Sequence, residues 1–194
     1  MNKITQHDLL SHADYEARRT AIRRDIIDLK KRRRVSVGDL VTLIFENRET
    51  LLFQIQEMIR TERIFDEAKI QEEIDVYNVL LPESGELSAT LFIEITDSER
   101  IQELLDSFQE IDRSDTLAIR VGDQRIYAEF EAGHSKEDKI SAVHFVRFKT
   151  NPAFRQSLGN FDLPASLCLT HPHHQAEVAV SKEMREEWLK DLTL

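Results

Sequence analysis

Residues 40–63 change from one hydrophobic pattern to another, and the predicted fold is organised around this segment. Leu40–Phe45 is rich in β-branched and aromatic residues, which predicts a half-buried strand. From about Thr50 the apolar residues recur at helical spacing. One face of this predicted helix carries five apolar side chains: Leu51, Leu52, Ile55, Met58 and Ile59. Phe53 and Ile64 lie on the opposite face, so we expect the helix to be covered on two sides.

Charged residues share the faces of this predicted helix. Glu57 and Arg60 lie three positions apart, opposite the main apolar stripe, where they can form an ion pair. Glu62 falls within the apolar stripe near the helix end. A buried carboxylate needs a partner such as an arginine or a metal ion. We interpret Glu57 and Arg60 either as a structural ion pair or as part of a site, and the sequence favours the structural alternative.

The same periodicity predicts the remaining elements. The helices are predicted over residues 5–10, 11–32, 66–81, 97–110, 151–158 and 181–192. The strands are predicted over residues 87–95, 116–121, 125–131, 140–148, 166–169 and 177–180. Residues 35–39 are interpreted as a turn into the first strand.

The order of these elements indicates the fold class. The strands after residue 110 follow one another with few helices between them, which argues against a doubly wound parallel sheet. We predict a single α+β domain over residues 1–194. It has a mainly antiparallel sheet of about five to seven strands, helices packed on one face and an N-terminal helical arm.

Charge is distributed unevenly along the chain. Residues 1–34 hold 10 Lys and Arg against 5 Asp and Glu, whereas residues 35–194 hold 16 against 31. We interpret the first range as a basic helical arm and the second as an acidic body. The two parts suit docking within one chain or between copies in a homo-oligomer. A net charge of −10 argues against general nucleic-acid binding.

The hydropathy of the chain indicates the cellular compartment in which we expect the protein. A stretch of about 18 consecutive apolar residues, which a membrane helix needs, does not occur in the sequence. The first ten residues, MNKITQHDLL, lack the apolar centre of a signal peptide. We therefore expect a cytoplasmic protein without a membrane span.

Three histidines near the C-terminus form the most ligand-like cluster. With a carboxylate such as Glu177, His171, His173 and His174 have the chemistry to bind zinc, copper or nickel. However, Pro172 bends the backbone, and adjacent histidines in a strand point to opposite sides. We interpret the cluster as a polar turn, with metal binding as the weaker alternative, and predict no cofactor.

Other catalytic motifs are absent or incomplete. Glu131 and His134 have the Glu-x-x-His spacing of di-iron helices, but a di-iron bundle needs two such pairs and two further carboxylates. The chain contains no glycine-rich phosphate loop, no cysteine pair and no His-Glu-x-x-His motif. The sequence alone therefore does not name a reaction.

The central segment nevertheless resembles a known family. FENRETLLFQIQEMIRTER, followed by DVYNVLLP and SATLFIEI, is similar to the uncharacterised bacterial domain-of-unknown-function 3501 family over nearly the whole chain. The matching residues are Phe45, Glu46, Asn47, Arg48, Thr50, Gln54, Gln56, Glu57, Met58, Glu62, Tyr77, Asn78, Pro82, Ala89 and Thr90. The resemblance implies no activity. It implies a genomic association with rubrerythrin-like and iron–sulfur redox proteins as partners.

Two functional hypotheses follow. The first is a non-enzymatic accessory or interaction protein in bacterial redox or peroxide metabolism. The second is a small metal- or anion-binding enzyme with a site of carboxylates, arginine and tyrosine around residues 46–77. The candidate polar site consists of Glu46, Asn47, Arg48, Gln54, Glu57, Arg60, Glu62, Tyr77 and Asn78.

Overall fold

The computed structural model describes residues 2–131 and 140–193. In these ranges a short 3₁₀ helix, Gln6–Asp8, precedes the first α-helix. The strands are β1 Arg34–Val37, β2 Val41–Glu46, β3 Glu86–Ile93, β4 Leu117–Val121, β5 Gln124–Phe130, β6 Val143–Lys149, β7 Ala165–Thr170 and β8 Gln175–Ala179. The helices are α1 His12–Arg33, α2 Arg48–Thr61, α3 Glu67–Asn78, α4 Ile101–Asp106, α5 Pro152–Gly159 and α6 Lys182–Thr193.

The eight strands form one antiparallel sheet in the order β1-β2-β3-β6-β5-β4-β7-β8. The predicted α+β class with an antiparallel sheet is confirmed, but the predicted number of five to seven strands is too low. The additional strand is β1, which covers residues interpreted as a turn. At four residues, β1 is too short for its alternation to distinguish it from a loop.

The sheet curls until its two edge strands, β1 and β8, lie beside each other. Gly38, which follows β1, has a φ of +71°, a conformation that other residues adopt only with strain. A Cβ atom at this position would lie 3.2 Å from the Cβ of Ala176 in β8. Glycine therefore lets the two edges approach, and the sheet is nearly a closed barrel.

The inner face of this near-barrel encloses the main hydrophobic core. The ring of Phe45 lies 4.6 Å from the ring of Trp188 and 5.9 Å from the ring of Phe148. Trp188 belongs to α6, and Phe154 and Leu158 of α5 are also fully buried in this core. Helices α5 and α6 therefore fill the interior with aromatic and aliphatic side chains.

A second, smaller core lies on the outer face of β2, β3 and β6. Helices α2 and α3 pack there as a hairpin, and their contacts bury Leu51, Ile55, Ile59 and Ile74. Since neighbouring residues of a strand point to opposite faces, both faces of the sheet are covered by helices. The prediction of helices on one face is therefore wrong. Hydrophobic alternation marks a face as buried but does not identify which element buries it.

Helix α1 packs along α2, β2 and α6 and buries Tyr15, Ile26 and Leu29 of its predicted apolar stripe. At its C-terminal end Arg33 is fully buried. Arg33 donates hydrogen bonds to Asp191 and, at 3.1 Å, to Glu187, both in α6. The basic N-terminal helix thus contacts the acidic body within one chain. None of the described helices combines the length and apolar character required to cross a bilayer.

Candidate functional site

A cavity of about 600 Å³ lies between the α2–α3 hairpin and part of the outer face of the sheet. We call it the Glu46 pocket, because that carboxylate is its most deeply buried charged group. Most of its walls are apolar and come from β2, β3, β6, α2 and α3. The described lining residues are Lys30, Ile44, Glu46, Gln54, Met58, Glu73, Val76, Tyr77, Val79, Leu80, Thr90, Phe92, Glu131, Val143 and Phe145.

The Glu46 carboxylate is held by uncharged donors. Thr90 donates to Oε1 at 2.9 Å, and Thr50 donates to Oε2 at 2.5 Å. Gln54 also donates to Oε2, at 3.2 Å. These three bonds fix the orientation of a side chain that is only 3% exposed. They satisfy part of its hydrogen-bonding capacity without supplying an opposite charge.

This arrangement distinguishes Glu46 from the other buried carboxylates of the described chain. Glu86 pairs with Arg147 at 3.1 Å, and Glu187 and Asp191 both pair with Arg33. Within residues 2–131 and 140–193, no Lys, Arg or His nitrogen lies within 4.0 Å of the Glu46 carboxylate. Burying a carboxylate is costly, and an opposite charge normally compensates for it.

Local sequence explains how Glu46 reaches the pocket. Phe45 points into the barrel core, so the next residue of β2 points outward beneath α2. Asn47 then caps α2: its side chain accepts from the Thr50 backbone N–H at 3.0 Å. The Thr50 hydroxyl accepts from the Asn47 N–H at 3.0 Å, which leaves its hydrogen for Glu46. Thr50, which completes the capping box of α2, therefore also orients the Glu46 carboxylate.

The outer part of the pocket carries further polar groups. Burial, reinforced by the charges of Glu73 and Glu46, raises the pKa of the Tyr77 phenol above its usual range. Tyr77 is therefore protonated at neutral pH, and its hydroxyl has no hydrogen-bond partner among the described residues. Lys30 of α1 and Glu131 also line the cavity. Among the described lining residues there are thus three carboxylates and one ammonium group.

Glu57, a second candidate, lies outside the pocket on the side of α2 that faces α1. Arg19 donates two hydrogen bonds to its carboxylate, of 2.7 and 2.8 Å, and Tyr15 donates a third at 2.6 Å. Arg60 lies within ion-pair distance at 3.4 Å. The Arg19 hydrogen bonds, supported by Tyr15 and Arg60, lower the pKa of Glu57 to about 2 despite partial burial. The predicted pairing with Arg60 exists, but the stronger partners come from α1.

The remaining candidates hold the N-terminal segment or begin and end α2. Arg48 pairs with Asp8 at 2.6 Å. Asn78 exchanges two 2.9 Å hydrogen bonds with the backbone of Ile4. Asn47 is the N-cap of α2, and Glu62 is its exposed C-cap. The structure therefore brings together Glu46, Gln54 and Tyr77 and separates the other six residues from them.

The ring nitrogens of His171 and His174 contact neighbouring groups of the protein. The His171 ring is fully buried; Nε2 contacts the Gln109 carbonyl at 2.7 Å, and Nδ1 accepts from the His173 N–H at 3.3 Å. His174 stacks on Phe108 at 3.7 Å and contacts the Ser107 hydroxyl at 2.6 Å. Burial lowers the pKa of His174. In the described ranges, no three His, Cys, Asp or Glu side chains are arranged to hold a metal ion. His134 lies outside these ranges.

Sequence reasoning missed much of the pocket. Lys30, Glu73 and the apolar wall are separated from Glu46 by turns whose geometry was not predicted. The strand register was the decisive unknown: Ile44 faces Thr90 across β2 and β3, which brings Thr90 within reach of Glu46. The one available signal was the inclusion of Glu46, Tyr77 and Thr90 among the residues that carry the family resemblance.

Comparisons with known proteins identify relatives without naming an activity. A family model described as "Protein of unknown function (DUF3501)" matches residues 3–192. A crystal structure of a novel protein of unknown function from Burkholderia pseudomallei shares 32% sequence identity and has a TM-score of 0.89. This similarity covers 98% of the present chain and 100% of the other. No curated protein matches the sequence.

Proposed function

Because the chain belongs to the DUF3501 family of proteins of unknown function, we propose a function from its geometry: it binds a small, mainly apolar molecule in the Glu46 pocket. The supporting observation is a cavity of about 600 Å³ that is already open between two packed layers. Small-molecule sites typically enclose about 300–1,000 Å³, with apolar walls and a few fixed polar groups.

The walls provide the affinity in this proposal. Met58, Phe92, Val143 and Phe145 present apolar surface to the cavity, and Val76 and Val79 are 63% and 56% exposed beside it. Removing such surface from water contributes roughly 25 cal/mol per Å² before the entropic costs of binding. A bound apolar molecule would cover part of α3 that is now in contact with solvent.

The lining favours binding over nucleophilic catalysis. The described lining residues include no Ser, Cys or His, the side chains that most often act as nucleophile or base. The Glu46 carboxylate is instead immobilised by Thr50, Gln54 and Thr90. Fixed polar groups in an apolar cavity are typical of a site that orients a ligand.

The accessory role in bacterial redox or peroxide metabolism is a separate part of the proposal. It rests only on the genomic association with rubrerythrin-like and iron–sulfur proteins that the family resemblance implies, as does the prediction of such a partner. A cytoplasmic location is proposed with it. A ligand-binding protein suits an accessory role, since binding can report the level of a small molecule to a partner.

Nile red, a neutral apolar dye, tests the binding function directly. We expect its fluorescence to rise when the native chain is added, because the dye enters an apolar cavity. Met58→Trp places a larger ring in the cavity and should weaken dye binding at least about tenfold, or about 1.4 kcal/mol. Titrations of folded protein, verified by circular dichroism, measure this change.

A matched control comes from the second cavity, of about 270 Å³, between α1 and α2. Ile22→Trp adds a ring there and should leave dye affinity unchanged, because Ile22 does not line the Glu46 pocket. The proposal is wrong if the native chain does not bind the dye. It is also wrong if Ile22→Trp, rather than Met58→Trp, abolishes binding.

A further inference from the structure

We infer that the ligand of the Glu46 pocket carries a positively charged nitrogen, as an amphipathic primary amine or a guanidine does. The inference rests on the proposed binding function and adds the chemical class of the ligand. It follows from one structural contrast, namely a buried carboxylate that faces a cavity and has uncharged hydrogen-bond partners.

Glu46 differs from the other buried acids of the described chain in its partners. Glu86, Glu187 and Asp191 each have an arginine within ion-pair distance. Glu46 is buried to the same degree, yet no described cation lies within 4.0 Å of it. A cation delivered by a ligand would complete at this position the pairing that the fold itself provides at the other three.

The geometry of Glu46 leaves room for that contact. A carboxylate has about four acceptor positions, two on each oxygen. Oε2 already accepts from Thr50 and Gln54, whereas Oε1 accepts only from Thr90. One acceptor position on Oε1 is therefore left for a ligand. A charged N–H donor there forms a stronger hydrogen bond than a neutral donor, because the surroundings are apolar.

The rest of the lining selects for the same charge. Glu73 adds a second carboxylate to the described lining beside Glu46, against the single ammonium of Lys30 in that part of the lining. This balance attracts cations and repels anions. Phe92, Phe145 and Tyr77 add aromatic rings, whose faces favour an ammonium or guanidinium group.

Lys30 does not neutralise Glu46 in this structure. Its side chain reaches the cavity wall from α1, but its nitrogen forms no ion pair with any carboxylate of the described residues. Lys30 therefore opposes an incoming cation from a distance. Removing its charge should strengthen binding of a cationic ligand, which gives a test that does not disturb the buried carboxylate.

A set of three six-carbon probes separates charge from apolar content: hexylamine, hexanol and hexanoate. At pH 7, isothermal titration calorimetry should give a Kd for hexylamine at least about tenfold below that for hexanol, with hexanoate weakest. In Glu46→Gln, hexylamine should lose about tenfold in affinity while hexanol is unchanged. Glu73→Gln, at the outer wall, should retain most of the preference for the amine.

Lys30→Met supplies the second variant, because it does not alter the hydrogen bonds of Glu46. We expect hexylamine to bind about threefold more tightly to this variant and hexanol to bind as before. If Glu46→Gln does not fold, this result decides: unchanged hexylamine affinity in Lys30→Met overturns the inference. A folded Glu46→Gln protein that keeps its preference for the amine overturns it as well.

The two proposals fail in different ways. If Nile red binds but the native chain binds hexanol or hexanoate as tightly as hexylamine, the cationic ligand class is wrong and the binding function stands. If neither the dye nor any of the three probes binds, both proposals are wrong. Tighter binding of hexylamine, lost only in Glu46→Gln, supports both.

Discussion

Glu46 and Glu57 lie eleven positions apart in one segment, yet they occupy opposite kinds of environment. Glu57 is held by Arg19 and Arg60 on the α1 side of helix α2. Glu46 is more deeply buried, but it is held by hydroxyl and amide groups and faces a cavity. Burial alone therefore does not mark a site. The nature of the partner, charged or neutral, separates a carboxylate that stabilises the fold from one available to a ligand.

The largest expected effect concerns the most extreme case of arginine pairing. Arg33→Met removes the guanidinium shared by Glu187 and Asp191, so Asp191 loses its ion-pair partner and Glu187 keeps only the more exposed Arg32 and Lys190. We expect the free energy of unfolding to fall by about 3–5 kcal/mol. Urea unfolding followed by Trp188 fluorescence measures this loss. Arg24→Met, an exposed residue of the same helix, should change little, and equal effects in both variants would contradict the interpretation.

An intermediate effect is expected for Glu57→Gln, which removes the carboxylate shared by Arg19 and Arg60 and leaves Arg60 with only Glu16 as a counterion, at 3.6 Å. We expect the free energy of unfolding to fall by about 1–2 kcal/mol at pH 7. This is less than the pKa shift alone implies, because the pair is partly exposed and solvent screens its charges. Urea unfolding provides the measurement. A loss in Glu57→Gln no larger than in the exposed Glu62→Gln would show that the cluster does not stabilise the fold.

The pH dependence of this variant provides a second measurement of the same prediction. The folded pKa of Glu57, about 2, lies below its ordinary value of 4.5. Its stabilisation is therefore complete above pH 4.5 and is lost as pH falls towards 2. Glu57→Gln should show a shallower loss of stability in this range.

Asp191 has the opposite pH dependence. Burial raises its pKa to about 6 from 3.8, against the charge of Arg33, so its contribution to stability is complete below pH 3.8 and is lost as pH rises through 6.

The smallest effect on stability is expected for Glu46→Gln. The amide retains one carbonyl oxygen, which can accept from Thr50 and Gln54, and the Thr90 hydroxyl can rotate to accept from the amide nitrogen. No arginine is left unpaired. We expect a change in the free energy of unfolding of less than about 1 kcal/mol. A loss as large as that in Glu57→Gln would remove the contrast between the two glutamates.

The sequence predicted local features of the fold well, because they depend on near neighbours. Helix α2 was expected to be covered on two sides, and it packs against both α1 and α3. The confirmed family resemblance rests on the same segment. By contrast, β1 and the curling of the sheet towards closure depend on contacts between distant parts of the chain. Hydrophobic alternation does not encode these contacts directly.

The candidate site was predicted as a stretch of sequence, whereas the pocket is a surface in space. Residues 46–62 form a strand end and a helix, and a helix turns successive side chains in different directions. Gln54 therefore faces the pocket while Glu57, less than one turn further on, faces α1. Separating them required knowledge of which elements pack on each side of α2, and that is set by tertiary contacts.

The close approach at Gly38 also affects how the protein behaves at high concentration. The free edge of a sheet can recruit a strand from another molecule, which is a common route to aggregation. In this sheet the two edges, β1 and β8, lie beside each other, and a Cβ atom at Gly38 would lie only 3.2 Å from the Cβ of Ala176 in β8. A single glycine thus helps to protect both edges from self-association.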